Sequence, residues 1–234
     1  MAEEKPSGEA LDLYNKGNAA GMLTDYVEAF KYFLAAAEKG YAPAECNLAF
    51  CYEKGHGVPL NYEKAHEYYQ RAAKQGYIPA ICNLGWLYES GDGVDQDLEK
   101  AFAYYSKAAK EGYAPAQSNL GFCCENGSGT PKDIKQAFEW YEKAAAQGNV
   151  YAQFNLGSCY ELGKGTAKNP EKAFEWYKKA AEHGHAAAQN CLGACYENGV
   201  GVQKNPMVAF DWYTIASNQG NVSAKQNLDN LKKK

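Results

Sequence analysis

Residues 152–184 read AQFNLGSCYELGKGTAKNPEKAFEWYKKAAEHG, and the way they recur decides the fold. Ala152, Leu156, Cys159 and Tyr160 stand three or four positions apart, which is one apolar face of a helix. Gly163 and Gly165 end that helix, because glycine takes positive φ at low cost. Asn169-Pro170-Glu171 starts a second one. It supplies a capping side chain, a proline whose missing N–H is harmless in the first turn, and an acid near the dipole's positive end. The second helix carries Ala173, Phe174, Trp176, Tyr177, Ala180 and Ala181 and stops at Gly184. Its small residues let helices approach closely, and its aromatics fill the wedge between units.

The same landmarks return every 36 residues on both sides of this stretch. The closing glycine stands at Gly40, Gly76, Gly112, Gly148, Gly184 and Gly220. Leucine recurs at Leu48, Leu84, Leu120, Leu156, Leu192 and Leu228, and alanine at Ala29, Ala65, Ala101, Ala137, Ala173 and Ala209. A G-x-G pair recurs five times, from Gly55/Gly57 to Gly199/Gly201, and a capping position at Asp25, Asn61, Asp97, Asp133, Asn169 and Asn205. One such hairpin cannot bury its own apolar faces, whereas stacked neighbours can. The expectation is all-α: a right-handed superhelical α-solenoid of antiparallel helix pairs, about six repeats plus a C-terminal capping helix.

Composition agrees. The 234 residues are 46% hydrophobic and 22% charged, which fits a globular chain. Eight Val and four Ile are too few for a sheet-built core. A net charge of −4 offers no broad attraction to nucleic acid or an anionic membrane. No apolar run approaches the roughly 18 residues of a membrane span. The opening MAEEKPSGEA is acidic and polar, unlike a secretory signal.

Read as A-x-x-x-L-G-x-x-Y-x-x-G-x-G followed by A-x-x-W-Y-x-x-A-A-x-x-G, the pattern resembles the Sel-one-like repeat, a relative of the tetratricopeptide repeat with a longer inter-helix loop. The resemblance covers about residues 44–231. Cys124 replaces the usual tyrosine, Ala49 the usual glycine and His66 the usual phenylalanine, all as volume adjustments. The first unit, with Leu13-Tyr14-Asn15-Lys16-Gly17-Asn18 and no G-x-G loop, looks like a tetratricopeptide repeat proper. The expected organisation is a disordered tail over 1–8, that first repeat over 9–43, five Sel-one-like repeats over 44–222, and a capping helix with a basic tail over 223–234.

Cys46, Cys51, Cys82, Cys123, Cys124, Cys159, Cys191 and Cys195 all lie in first helices. Related secreted bacterial proteins pair one cysteine per helix, a pattern this chain does not have. Cysteines four or five apart on one helix are poorly placed for a bridge. Buried thiols and a reducing, cytoplasmic compartment are expected. His183-Gly184-His185 has no acidic or cysteine partner at ligand spacing, so surface-loop histidines are expected, with no metal and no cofactor. The G-x-G loops are not followed by G-K-[ST] and read as structural corners rather than phosphate cradles. No nucleophile–base pairing appears, so no enzyme is expected.

Function then falls to the concave face, lined by first helices. Three ladders run along it. Asn47, Asn83, Asn119, Asn155 and Asn227, interrupted by Cys191, offer a donor and an acceptor each. They either hold the main chain of an extended peptide, as the resemblance to some tetratricopeptide superhelices implies, or fix neighbouring helices. Phe50, Trp86 and Phe122 give way to Ser158 and Ala194, with Phe154 one turn away. These aromatics form a binding patch or pack on the next repeat, as Trp140, Trp176 and Trp212 are expected to do. Glu53, Glu89, Glu125, Glu161 and Glu197 precede the loops. They suit a basic ligand, or accept N–H groups of the G-x-G corner. A carboxylate-clamping site like that of some tetratricopeptide domains would use Asn18 and Asn47, but Tyr14, Pro79 and Asn83 stand where bases are needed.

The expected function is a monomeric, non-catalytic scaffold or adaptor for a protein or extended peptide. Two alternatives stay open: a β-lactam-binding or β-lactam-hydrolysing protein, implied by secreted bacterial relatives, and an engineered or consensus-like array without a native ligand.

Overall fold

The computed structural model describes residues 8–232. Most of the tail expected over 1–8 lies outside them, and Gly8 opens the first helix. The first helices of the repeats are α1 (Gly8–Met22), α3 (Ala42–Lys54), α5 (Ile78–Ser90), α7 (Ala114–Asn126), α9 (Val150–Leu162) and α11 (Ala186–Asn198). Their partners are α2 (Tyr26–Glu38), α4 (Tyr62–Lys74), α6 (Leu98–Lys110), α8 (Ile134–Ala146), α10 (Pro170–Glu182) and α12 (Pro206–Asn218). Helix α13 (Val222–Leu231) follows, and the described residues contain no strand.

The helices form two compact units, α1–α6 up to Tyr113 and α7–α13 from Ala114. Within each unit every helix packs chiefly on its neighbours in the chain, the nearest-neighbour stacking of an α-solenoid. The all-α repeat expected from the 36-residue step is therefore present.

Each capping residue works at both ends of its loop. Asp25, Asn61, Asp97, Asp133, Asn169 and Asn205 all accept the backbone N–H three residues on, for example Asn169 Oδ1 from Lys172 at 2.9 Å. Such a cap contributes about 1 kcal/mol. The backbone N–H of Asn61 also donates to the Tyr52 carbonyl at 2.9 Å, and Asp97, Asp133, Asn169 and Asn205 do the same to their own first helices. That bond ties the start of the second helix to the first.

The G-x-G loop carries the contact between repeats. Gly55 closes α3 in the left-handed region, and Gly57 lies against the start of α2. A Cβ on Gly57 would run into the Tyr26 carbonyl. Gly93 meets Tyr62 of α4 in the same way, with a would-be Cβ 2.6 Å from its carbonyl carbon. The loops are structural corners, as expected.

From the second repeat on, the fully buried aromatic of each wedge is a tyrosine, and Trp212 packs, as expected, on the neighbouring cluster of Ala180, Ala181, Ala188 and Leu192. Tyr69, Tyr105, Tyr141, Tyr177 and Tyr213 are fully buried. Trp140, Trp176 and Trp212 are half-buried, with Lys143 4.2 Å from the Trp140 ring centroid and Lys179 4.0 Å from that of Trp176. Tryptophan, the larger ring, keeps its edge in solvent under a lysine stem, while tyrosine reaches a polar partner inside. His66 meets Tyr88 edge-on at 5.7 Å, as Phe138 and Phe174 meet Tyr160 and Tyr196, so its replacement of phenylalanine is the expected volume adjustment.

Candidate interaction surface

Because α3, α5, α7, α9 and α11 keep one register, residues 36 apart occupy equivalent places on them. The three ladders of the sequence differ sharply in what they touch there.

The glutamate ladder is structural, through a partner the sequence reading missed. The hydroxyls of Tyr69, Tyr105, Tyr141, Tyr177 and Tyr213 donate to Glu53, Glu89, Glu125, Glu161 and Glu197 at 2.6–2.9 Å. The expected acceptor role is correct in kind, but the donor is the second helix rather than the loop. Burial, reinforced at Tyr69 and Tyr141 by the facing carboxylate, pushes the phenols of Tyr69, Tyr141, Tyr177 and Tyr213 well up, so these four stay donors throughout the neutral range. Glu125 also holds Lys164 at 2.6 Å, and Glu53, 6% exposed, holds Lys54 at 2.7 Å.

Half-buried asparagines form the second ladder, and several of them are engaged with the neighbouring first helix. Asn47 Nδ2 donates to Asn18 Oδ1 at 3.1 Å, Asn83 Nδ2 to Cys46 Sγ at 3.8 Å, and Asn227 Nδ2 to Asn190 Oδ1 at 3.0 Å. Asn83 also faces the Tyr69 hydroxyl, and Cys191, which interrupts the ladder, faces that of Tyr177. Asn119 and Asn155 are half-buried at the same position. The amide donors of Asn47 and Asn83 thus brace the stack. Asn18 and Asn47 bond each other, and Tyr14 packs on Tyr41 at 5.3 Å, so the clamp positions hold a hydrogen-bonded pair and an aromatic pair.

The aromatic ladder is the outward-facing one. Phe50 is 42% exposed and Phe122 49%. Trp86 is half-buried and lies at the rim of the core of the first unit. Phe154 leans on His185, 4.7 Å between ring centroids, and on Tyr177 at 5.9 Å, so it belongs more to packing. Around Phe50 and Trp86 other side chains gather. Lys54 Nζ stands 5.7 Å from the Phe50 centroid and 5.1 Å from that of Trp86. His56, in the Gly55–Gly57 loop, stacks on Tyr26 at 4.1 Å and meets Phe50 edge-on at 5.7 Å. Phe50, Trp86, Lys54, His56 and Tyr26 make one array within the first unit.

Among the described residues no three His, Cys, Asp or Glu side chains lie close enough to hold a metal ion. His183 is exposed, and its Nδ1 lies 2.8 Å from the Lys179 carbonyl, while half-buried His185 caps α11 by accepting the Ala188 N–H. Seven of the eight cysteines are buried thiols, and Cys191 is half-buried. Burial pushes Cys46, Cys82, Cys159 and Cys191 up to about 12 and Cys51, Cys124 and Cys195 to about 11. At neutral pH these thiols are protonated.

A family model described as the Sel1 repeat matches six times end to end, over residues 8–41, 42–77, 78–113, 114–149, 150–185 and 186–221. The chain belongs to the Sel1 repeat family. The match includes the first repeat, although it lacks the G-x-G loop. A crystal structure of a Sel1 repeat protein from Oxalobacter formigenes is 32% identical, with a TM-score of 0.81, covering 93% of this chain and 86% of that one. A protective antigen of uropathogenic Escherichia coli is 34% identical with a TM-score of 0.80; the match covers 95% of this chain and 48% of the antigen. A Sel1 repeat protein from Klebsiella pneumoniae, 23% identical with a TM-score of 0.59 over 87% and 99% of the two chains, shares the fold. No curated protein matches the chain. Sel1 repeat proteins typically act as protein-interaction scaffolds and are generally non-catalytic. No described helix is long and apolar enough to cross a membrane.

Proposed function

We propose that this Sel1 repeat protein is a non-catalytic adaptor that holds a polypeptide segment of a partner on its first-helix face, anchored in the first unit by Phe50 and Trp86. The observation that carries the reading is the contrast between ladders. The glutamates and several of the asparagines are engaged in bracing the repeats, whereas Phe50 stands exposed beside Trp86 on helices fixed by that bracing. An apolar anchor on a rigid support loses little entropy on binding, which is how a few residues come to carry most of an interface. Phe122 offers a similar anchor in the second unit. Asn155 is the ladder member to test for a bond to a ligand main chain. Eight cysteines held as thiols suit a reducing compartment such as the cytoplasm.

The test is selection of dodecapeptides from a displayed random library on the purified chain, followed by affinity measurement on Phe50→Ala. Enriched peptides that lose affinity for Phe50→Ala support the reading. Failure to retain any peptide in a Phe50-dependent way removes it.

A further inference from the structure

Lys54 is placed unlike any other lysine of the described chain. Lys64, Lys100, Lys143, Lys172, Lys179 and Lys232 each stand over one ring, whereas Lys54 stands over two, Phe50 and Trp86. It also contacts Glu53 Oε1 at 2.7 Å. Three features therefore favour positive charge at one point: two aromatic faces, a carboxylate, and the C-terminal end of α3, whose last residue is Lys54. The carboxylate is not free to turn away, because its second oxygen accepts the Tyr69 hydroxyl at 2.7 Å and its side chain is only 7% exposed. The equivalent position in the later repeats holds Ser90, Asn126, Leu162 and Asn198, so this arrangement belongs to one repeat.

We infer that the Phe50–Trp86 face recognises a lysine or arginine side chain of the bound polypeptide, and that Lys54 occupies that position until the ligand displaces it. This rests on the reading of the face as a polypeptide-binding surface and adds the chemistry of its ligand. Lys54 is a tethered copy of the ligand's cation. When it swings out, Glu53 Oε1 and both rings lose their cation, and leaving a nearly buried carboxylate unpaired is costly. Only another cation restores all three contacts. A neutral apolar side chain reaches the rings but leaves Glu53 unpaired. An acidic one has to draw Lys54 away from both rings while lying beside Glu53. The lysine side chain is 42% exposed, so it can leave into water without moving the helices.

The probes are Nα-acetyl-arginine amide, Nα-acetyl-lysine amide and the neutral isostere Nα-acetyl-citrulline amide. Each is titrated into the full chain while the Trp86 indole N–H is followed by NMR, with that signal assigned through Trp86→Phe. The expected result is a saturable shift with the two cations and none with citrulline. Affinity for the cations should rise about threefold in Lys54→Met, the size of one exposed cation–π contact. Lys31→Met, which removes the same charge from α2, separates this from a change in net charge and should leave affinity unchanged. An equal response to citrulline, or unchanged or weaker cation binding in Lys54→Met, overturns the inference. The displayed library separates it from the adaptor reading. Phe50-dependent peptides rich in Lys or Arg support both. Phe50-dependent peptides without that bias leave the adaptor reading standing and remove this inference, and the absence of Phe50-dependent peptides removes both.

Discussion

The hydroxyl of Tyr105 donates to Glu89 at 2.6 Å, joining the second helix of a repeat to the end of its first, and the same bond occurs in four more repeats. It satisfies a phenol buried in the wedge and holds a carboxylate near the surface in a fixed direction. The value of the bond therefore depends on how much water can replace the tyrosine when it is lost.

That dependence sets an order among variants. Tyr69→Phe leaves Glu53 Oε2 without its donor in a nearly buried place and should cost about 2 kcal/mol. Tyr177→Phe leaves Glu161, which is exposed and can be hydrated, and should cost about 1 kcal/mol. Urea unfolding of both variants at neutral pH reads the difference. Equal losses, or a larger one for Tyr177→Phe, would show that access of water to the carboxylate does not set the cost.

The unequal legibility of the sequence has a physical origin. Helix starts and loop corners were readable because each makes a demand that few residue types meet: an acceptor for an orphan N–H at Asn169, a positive φ at Gly163. The Tyr–Glu bond was not read, because its partners lie 16 residues apart on two helices and neither residue is unusual alone. A signal existed. The first repeat has Phe33 in place of the tyrosine, and the last turn of α1 carries no glutamate, so the two are missing together. The aromatic ladder was hardest, since Phe50 and Trp86 hold the same repeat position and still differ in exposure. Trp86 packs on the core of the first unit, whereas Phe50 meets His56 and Lys54, which the period does not describe.

His185 makes stability depend on pH. Its Nδ1 accepts the Ala188 N–H at 3.2 Å, and its ring sits against Tyr151 and Phe154. Burial holds it below the ordinary imidazole value of 6.5, so the unfolded chain takes up the proton first. Stability is then full above that value and falls as pH drops through it toward the folded one. Asn149 and Asn221 cap the equivalent helices with an amide that does not titrate. His185→Asn should keep the cap and reduce the loss of stability between about pH 7.5 and about pH 5.5. His66, shifted down by burial too, adds slope of the same sign, and Glu45, shifted up by burial, adds slope of the opposite sign. An unchanged slope in His185→Asn would show that His185 does not carry the effect.

The two glycines of one loop should respond unequally to substitution. Gly55, at φ +69°, has its nearest neighbours 3.6 Å from a would-be Cβ, so Gly55→Asn should cost about 1 kcal/mol or less. Gly57, at φ +72°, abuts the Tyr26 carbonyl, so Gly57→Ala pays for both the left-handed backbone and a displaced repeat contact, about 2 kcal/mol or more. Thermal unfolding with hydrogen exchange on α2 distinguishes them. The exchange should quicken there only in Gly57→Ala.

Phe50 and Trp86 should separate binding from folding. Phe50 is exposed, and Phe50→Ala should change stability by about 0.5 kcal/mol or less while weakening a bound peptide about tenfold or more. Trp86 lies at the rim of the core, so Trp86→Ala should lower both affinity and stability, the latter by about 2 kcal/mol because only part of the indole is buried. The decisive variant is therefore Phe50→Ala, whose two readouts the hypotheses drive in opposite directions. A ligand anchor loses affinity and keeps its melting temperature. A packing residue keeps affinity and loses stability in step with Trp86→Ala. The ring's contact with His56 is edge-on and its contact with Lys54 is made to a half-exposed chain, so neither replaces a core's worth of packing. The first outcome is the expected one, and Phe122→Ala should repeat it for any ligand that reaches the second unit.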